Sequence, residues 1–192
     1  EFRMEVAELE QFLVSPGKPR LDLLDGKGDA FGGAFVEASK NSAVLPDVIK
    51  REFDQEMLLF FRVMQAHGAE FGYRVAHEAA RFVHFYKLLG APSDDSDWFP
   101  GAFDCIVVQK ILPKLHGSRA KLGPLLKLLW FLCVKSPVTR GEDQLLAALE
   151  ASRSTDKNAE PTTEIPPGAP YPLSAEKIAR MWRLLRDNGF TS

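Results

Sequence analysis

The stretch FGYRVAHEAARFVHFYKLLG, residues 71–90, decides the architecture, because it reads as an amphipathic helix and not as a strand. Val75, Ala79, Phe82, Tyr86 and Leu89 recur at spacings of three and four and define an apolar stripe; Arg74, His77, Glu78, Arg81 and His84 fall on the other side. One residue does not fit a plain surface helix. Arg74 stands in the opening turn, two residues after Gly72, where the helix dipole gives a cation no stabilisation. A local partner exists in Glu78, four residues on, and such a pair contributes only about 0.3–0.5 kcal/mol. The other reading is an anion supplied from outside the helix.

Working towards the N-terminus, Leu45 to His67 carries Ile49, Phe53, Met57, Phe60 and Met64 as a continuous stripe, with Pro46 suited to a first turn and Gly68 closing the helix. Residues 15–43 are rich in Gly, Pro, Asp and Lys and read as a loop or linker. EFRMEVAELEQFL, residues 1–13, reads as the end of a strand passing into a short acidic helix, with Phe2 and Met4 on one face and Leu9, Phe12 and Leu13 on another. A chain that starts in mid-strand is expected to be a piece of something longer.

Working towards the C-terminus, a polar loop bracketed by Pro92 and Pro100 has Trp98 and Phe99 to pin it down. A helix is expected from about Ala102 to Leu115, with Cys105, Val108, Ile111, Leu112 and Leu115 inward and Pro113 kinking or ending it. Another starts at Ser118 or at Pro124 and runs to Val134, and EDQLLAALEASR, residues 142–153, gives a further one. Residues 154–172 have the composition of an exposed proline-rich connector. A last helix is expected after Ser174 as N-cap, burying Ile178, Met181, Trp182 and Leu185 and stopping at Asn188-Gly189. No segment after Leu45 alternates like a strand, so the predicted fold is all-α, a bundle of five to six helices.

Composition narrows the function classes. The 192 residues are 45% hydrophobic with a formal net charge of −2, a balance that does not bind nucleic acid by composition alone. Locally the charge is uneven: Lys110, Lys114, Arg119, Lys121, Lys127, Lys135 and Arg140 lie in a stretch, Cys105 to Gly141, that holds no acid. That stretch reads either as a solvated face or as a contact surface for DNA, an acidic partner or a neighbouring subunit, with Lys114 and Arg119 flanking a distinctive turn. The most apolar run, LLKLLWFLCV, is short and carries a lysine, and residues 1–14 lack a signal-peptide pattern, so a cytoplasmic protein is expected. Cys105 and Cys133 are expected as reduced core thiols.

Enzyme signatures fail one by one. PGKPR and DGKGDA do not complete a phosphate-binding G-x-x-x-x-G-K-[ST] loop. HEAAR falls one residue short of a zinc helix because Arg81 stands where the second histidine belongs, and a guanidinium does not ligate zinc. No catalytic residue and no metal site is expected in this chain.

FGYRVAHEAARFV, FDCIVVQKILPKLHGSR and YPLSAEKIARMWRLLRDNGFTS, in that order, resemble the C-terminal part of McrB-like AAA+ proteins, the NTP-driven motors of modification-dependent restriction systems. The resemblance spans most of the chain. It implies that residues 1–43 are the tail of the large AAA+ subdomain with a linker, and that residues 44–192 are the small helical lid. Gly72-Tyr73-Arg74 then matches the sensor 2 position, and Arg74 would reach the γ-phosphate of a nucleotide held by the chain's own large subdomain. The Walker motifs, sensor 1 and the arginine finger would lie upstream of Glu1, so the chain alone would be inactive. In the full-length protein the resemblance implies GTP or ATP with Mg2+, a homo-oligomeric ring, an McrC-like nuclease subunit and indirect contact with DNA, with no membrane. The alternative is a free-standing helical adaptor that binds nucleic acid or protein through a basic face formed by Lys110, Lys114, Arg119 and Lys121.

Overall fold

The computed structural model describes residues 6–14, 44–90, 98–135 and 164–191. Among them six α-helices form one bundle: α1 (Val6–Val14), α2 (Asp47–Gln65), α3 (Tyr73–Gly90), α4 (Phe99–Ile106), α5 (Arg119–Val134) and α6 (Pro172–Asn188). The all-α class expected from the sequence is what the chain adopts. The strand expected at residues 1–5, the loop at 15–43 and the helix at 142–153 lie outside the described residues.

The expected stripe of α2 is the buried one: Ile49, Phe53, Met57, Phe60 and Met64 all face the core. Gly68 ends it in the left-handed region (φ 63°), and the Ala69 and Gly68 amides return to the Met64 and Gln65 carbonyls at 2.9 and 3.0 Å, a Schellman closure. Helix α5 is apolar on several sides, with Leu122, Leu125, Leu126, Leu129, Leu132 and Cys133 buried, because α2 and α6 pack on it from different directions. Its first residue is Arg119, which settles the Ser118-or-Pro124 alternative. Pro124 lies inside the helix, and the Ala120 carbonyl that its missing N–H would have bonded belongs to an exposed residue.

Several expectations need correction. The stripe of α3 turns out to be Val75, Ala76, Ala79 and Val83; Phe82 is half-buried, Tyr86 is exposed and Leu89 is 85% exposed. The core covers the first half of this stripe; further along, Tyr86 meets Trp98 and the first turn of α4 only from one side, and Leu89 lies beyond that contact. Trp98 is buried and stacks on Tyr86 at 6.0 Å between centroids, and Pro100 belongs to the first turn of α4 and does not bracket the loop, whose residues 91–97 lie outside the described residues. Cys105 and Val108 are only half-buried, while Phe103, Asp104, Ile106 and Val107 point inward; Cys105 and Cys133 are free thiols.

The segment that follows α4 changes register ahead of Pro113. Residues Val107–Ile111 form a π-helical turn in which the Leu112 amide reaches back five residues to the Val107 carbonyl. In the same register the Val108 carbonyl would accept from residue 113, and proline has no N–H to give. Lys177 of α6 supplies the missing donor, its Nζ lying 2.8 Å from the Val108 oxygen. Burial, and then the neighbouring Arg180, push the Lys177 ammonium below the usual lysine range. A 3-10 turn, Leu112–Lys114, then ends the segment, as Pro113 predicted.

The connector expected to be exposed at 154–172 ends on a residue that is fully inside. Tyr171 is buried between Phe60 and Phe103, at 6.0 and 5.4 Å between centroids, and its amide donates to the Cys133 carbonyl at 3.1 Å. Ser174 is not the N-cap of α6: the helix starts at Pro172, and the Leu173 and Ser174 amides both donate to the carboxylate of Asp104, each at 2.8 Å. A carboxylate 70 residues away in α4 thus does what a local side chain was expected to do. Beyond α6, Gly189 takes the left-handed conformation (φ 71°) and Phe190–Thr191 pairs antiparallel with Gly117–Ser118. Two residues per strand are too few for alternation to register in a sequence. Trp130 and Trp182 are core residues as expected.

Candidate functional site

The start of α3 is fixed from inside the core. Phe71 is buried and meets Phe61 of α2 edge-on, 5.3 Å between ring centroids, and Tyr73 packs partly against the same cluster. The Val75 amide closes the first turn on the Gly72 carbonyl at 2.9 Å. A Cβ added at Gly72 would meet nothing within 4 Å, so the chain's own packing does not demand a glycine there. With Phe71 and Tyr73 anchored, Arg74 has to project outward, and its side chain is 91% exposed.

Arg74 Nε donates to Glu78 Oε1 at 2.7 Å, the local pair foreseen from the spacing. What the spacing did not foresee is the second donor: Lys110 Nζ reaches the other oxygen, Oε2, also at 2.7 Å. Two cations 36 positions apart in sequence therefore converge on the two oxygens of one carboxylate. Lys110 arrives there because it sits in the π-helical turn, whose extra residue rotates it relative to an uninterrupted helix. No sequence signal marked the Glu78–Lys110 contact, since its geometry follows from the packing of that turn on α3.

The electrostatics follow from the donors. The Lys110 ammonium first, and the Arg74 guanidinium second, hold the Glu78 carboxyl at about 2, well below its ordinary value of 4.5. A folded-state value below the unfolded one adds stability above about pH 4.5 and loses it as the pH falls through about 2. The triad is largely in solvent, so screening reduces that contribution to about 1 kcal/mol or less. Glu78→Gln is therefore expected to lower stability slightly at pH 7 and in low salt, and to match the wild type near the lower value, with chemical denaturation at several pH values as the measurement. A difference that persists unchanged at the acid end would mean that the carboxylate is not what the two cations stabilise.

The other residues singled out from sequence lie elsewhere. Lys114 follows the π-helical turn and is exposed; Arg119 opens α5, half-buried, its amide donating to the Gly189 carbonyl at 3.1 Å; Lys121 is exposed, its stem folded beside Gly117. The structure thus joins Lys110 to Arg74 and leaves Lys114, Arg119 and Lys121 around the two-strand bridge. Among the described residues no three His, Cys, Asp or Glu side chains converge in a way that could hold a metal ion, and no helix is long and apolar enough to cross a membrane.

No curated protein and no solved structure matches the chain. One family does match, over residues 31–190, and it is described as a domain of unknown function, DUF8727. The match takes in five of the six described helices, α2 to α6, and with them the whole Arg74–Glu78–Lys110 triad, so the chain belongs to the DUF8727 family.

Proposed function

We propose that this chain is the helical lid of an McrB-like AAA+ NTPase, in which Arg74 reads the phosphates of a nucleotide bound by the large subdomain of the same protein. The observation that carries the reading is the pair of cations on one carboxylate. Arg74 and Lys110 already present two donors, 2.7 Å from each oxygen of Glu78, in an arrangement that two oxygens of a phosphate group could replace. Glu78 would act as the resting counter-ion, and an arriving polyphosphate would exchange for it as the lid closes, a two-state movement biased by ligand. The triad offers donors and one carboxylate, chemistry that suits phosphate oxygens and not a metal, so Mg2+ would be held by the large subdomain. The nucleotide would be GTP or ATP, and the ring would work in the cytoplasm with an McrC-like nuclease subunit, acting on DNA through that partner.

The test is turnover of the full-length product of this reading frame. Arg74→Ala is expected to lower kcat by about a hundredfold, the scale seen when one donor to a developing charge is removed. Its melting temperature should stay within about 1 °C, because a largely solvated side chain contributes little to stability. Normal turnover in that variant would sink the phosphate role of Arg74. The adaptor reading predicts the opposite order: Arg74→Ala silent, and charge reversal at Lys114 and Arg119 decisive.

A further inference from the structure

The antiparallel bridge brings two basic segments together that are far apart in sequence. Ser118 pairs with Phe190 and Gly117 with Thr191, so the turn that carries Lys114, Arg119 and Lys121 lies beside the last turn of α6 with Arg183 and Arg186. Within residues 114–121 and 183–191 the only acid is Asp187, and Arg186 engages it at 2.8 Å. Among the described residues Lys114, Arg119 and Lys121 form no ion pair. The whole chain carries a formal charge of −2, so this excess of cations is a local feature, not a reflection of composition. On the strand that pairs with Ser118, next to Arg119 in sequence, Phe190 stands 51% exposed, and Leu184 of α6 is 46% exposed. The strand pairing uses only the backbone of Phe190, and the fold gains little from leaving that ring in water.

We infer that this end of the bundle binds single-stranded nucleic acid, with the lysines and arginines on the phosphates and the Phe190 ring against a base. Cations around an exposed aromatic ring are the combination that holds a strand without reading its sequence: charge follows the backbone, and every base offers a face to stack on. An acidic protein would use the cations and leave the ring idle. The inference stands on a surface separate from the Arg74 triad and does not rest on the nucleotide reading.

The experiment is fluorescence anisotropy of a labelled oligo(dT) of about 20 nucleotides with the 192-residue chain, titrated from about 50 to 300 mM salt. Binding is expected, weakening with salt by about 0.7 logarithmic units per tenfold salt for each phosphate contact. The triple variant Lys114→Glu, Lys121→Glu, Arg183→Glu should bind at least tenfold less tightly and with a shallower salt slope. Phe190→Ala should bind about fivefold or more weakly with the slope unchanged, because stacking is not counter-ion release. All these side chains are exposed, and an unchanged melting curve confirms that each variant is folded. No binding at the lowest salt, or equal binding by the triple variant, overturns the inference. Polyglutamate bound as tightly as the oligonucleotide, with Phe190→Ala without effect, also overturns it and makes the surface one for an acidic protein.

Discussion

Asp104→Ala is expected to destabilise the protein by about 3 kcal/mol and to lower its Tm by roughly 6–12 °C. Asp104 is 2% exposed, and its carboxylate accepts the Leu173 amide, the Ser174 amide and the Ser174 hydroxyl. The first turn of any helix has amides without intrahelical acceptors, and Pro172 removes only one of them. Alanine would leave two buried or half-buried N–H groups facing apolar surroundings, each costing about 1–3 kcal/mol, and would also remove a negative group from the positive end of the α6 dipole. Asp104→Asn keeps one acceptor oxygen and should lose about half as much. Hydrogen exchange separates this cause from a general loss of packing: the Leu173 and Ser174 amides should exchange faster in the alanine variant at denaturant-free conditions than the amides of α2 do. A Tm within about 2 °C of the wild type would show that another group caps α6.

Phe103→Ala should cost more, about 3–5 kcal/mol, a fifth or more of the roughly 5–15 kcal/mol typical of a folded domain. Phe103 is fully buried and its ring lies 5.6 Å from Phe60, 5.7 Å from Phe99, 5.4 Å from Tyr171 and 6.4 Å from Phe53, centroid to centroid. It is where α2, α4 and the start of α6 meet. Removing it leaves a cavity bounded by Phe53 and Phe60 of α2, Phe99 of α4 and Tyr171 at the head of α6, and such a site collapses poorly because the rings are held by three different helices. Phe103→Leu fills most of the volume and should cost about 1–2 kcal/mol. Urea denaturation measures all of these, and a penalty below about 1 kcal/mol for the alanine variant would mean that the aromatic cluster repacks freely. The consequence for function lies in rigidity: Asp104, one residue on, positions α6, and the π-helical turn just beyond positions Lys110.

Much of the bundle was legible because its signals are local. The α2 stripe from Ile49 to Met64 repeats at helical spacing with a glycine to close it, and Ile178, Met181, Trp182 and Leu185 do the same for α6; burial followed both patterns. The α3 stripe was legible only over its first half. Periodicity tells which side of a helix is apolar but not how far its neighbours extend to cover it, so Leu89 was assigned to a core that does not reach it, and Tyr86 is covered on one side only, by Trp98. Arg74 and its Glu78 partner could be read from a spacing of four. Lys110 could not, because a π-helical turn changes the facing of every residue after it and leaves no periodic trace.

By itself, then, the sequence determined the helical class, the stripes of α2 and α6, the stop at Gly189 and the exposed cation at the head of α3. Each depends on residues within a turn or two of one another, where backbone geometry leaves few alternatives. Tertiary structure alone decided that Asp104 caps α6, that Lys177 completes the hydrogen bond Pro113 forbids, that Tyr171 goes inside and that Lys110 shares the carboxylate of Glu78. In all four, the partner stands 30 or more positions away: Asp104 and Lys177 meet needs of the local backbone, Lys110 pairs with a side-chain carboxylate and Tyr171 fills a space between rings, and only the packing of the helices sets which distant group is within reach.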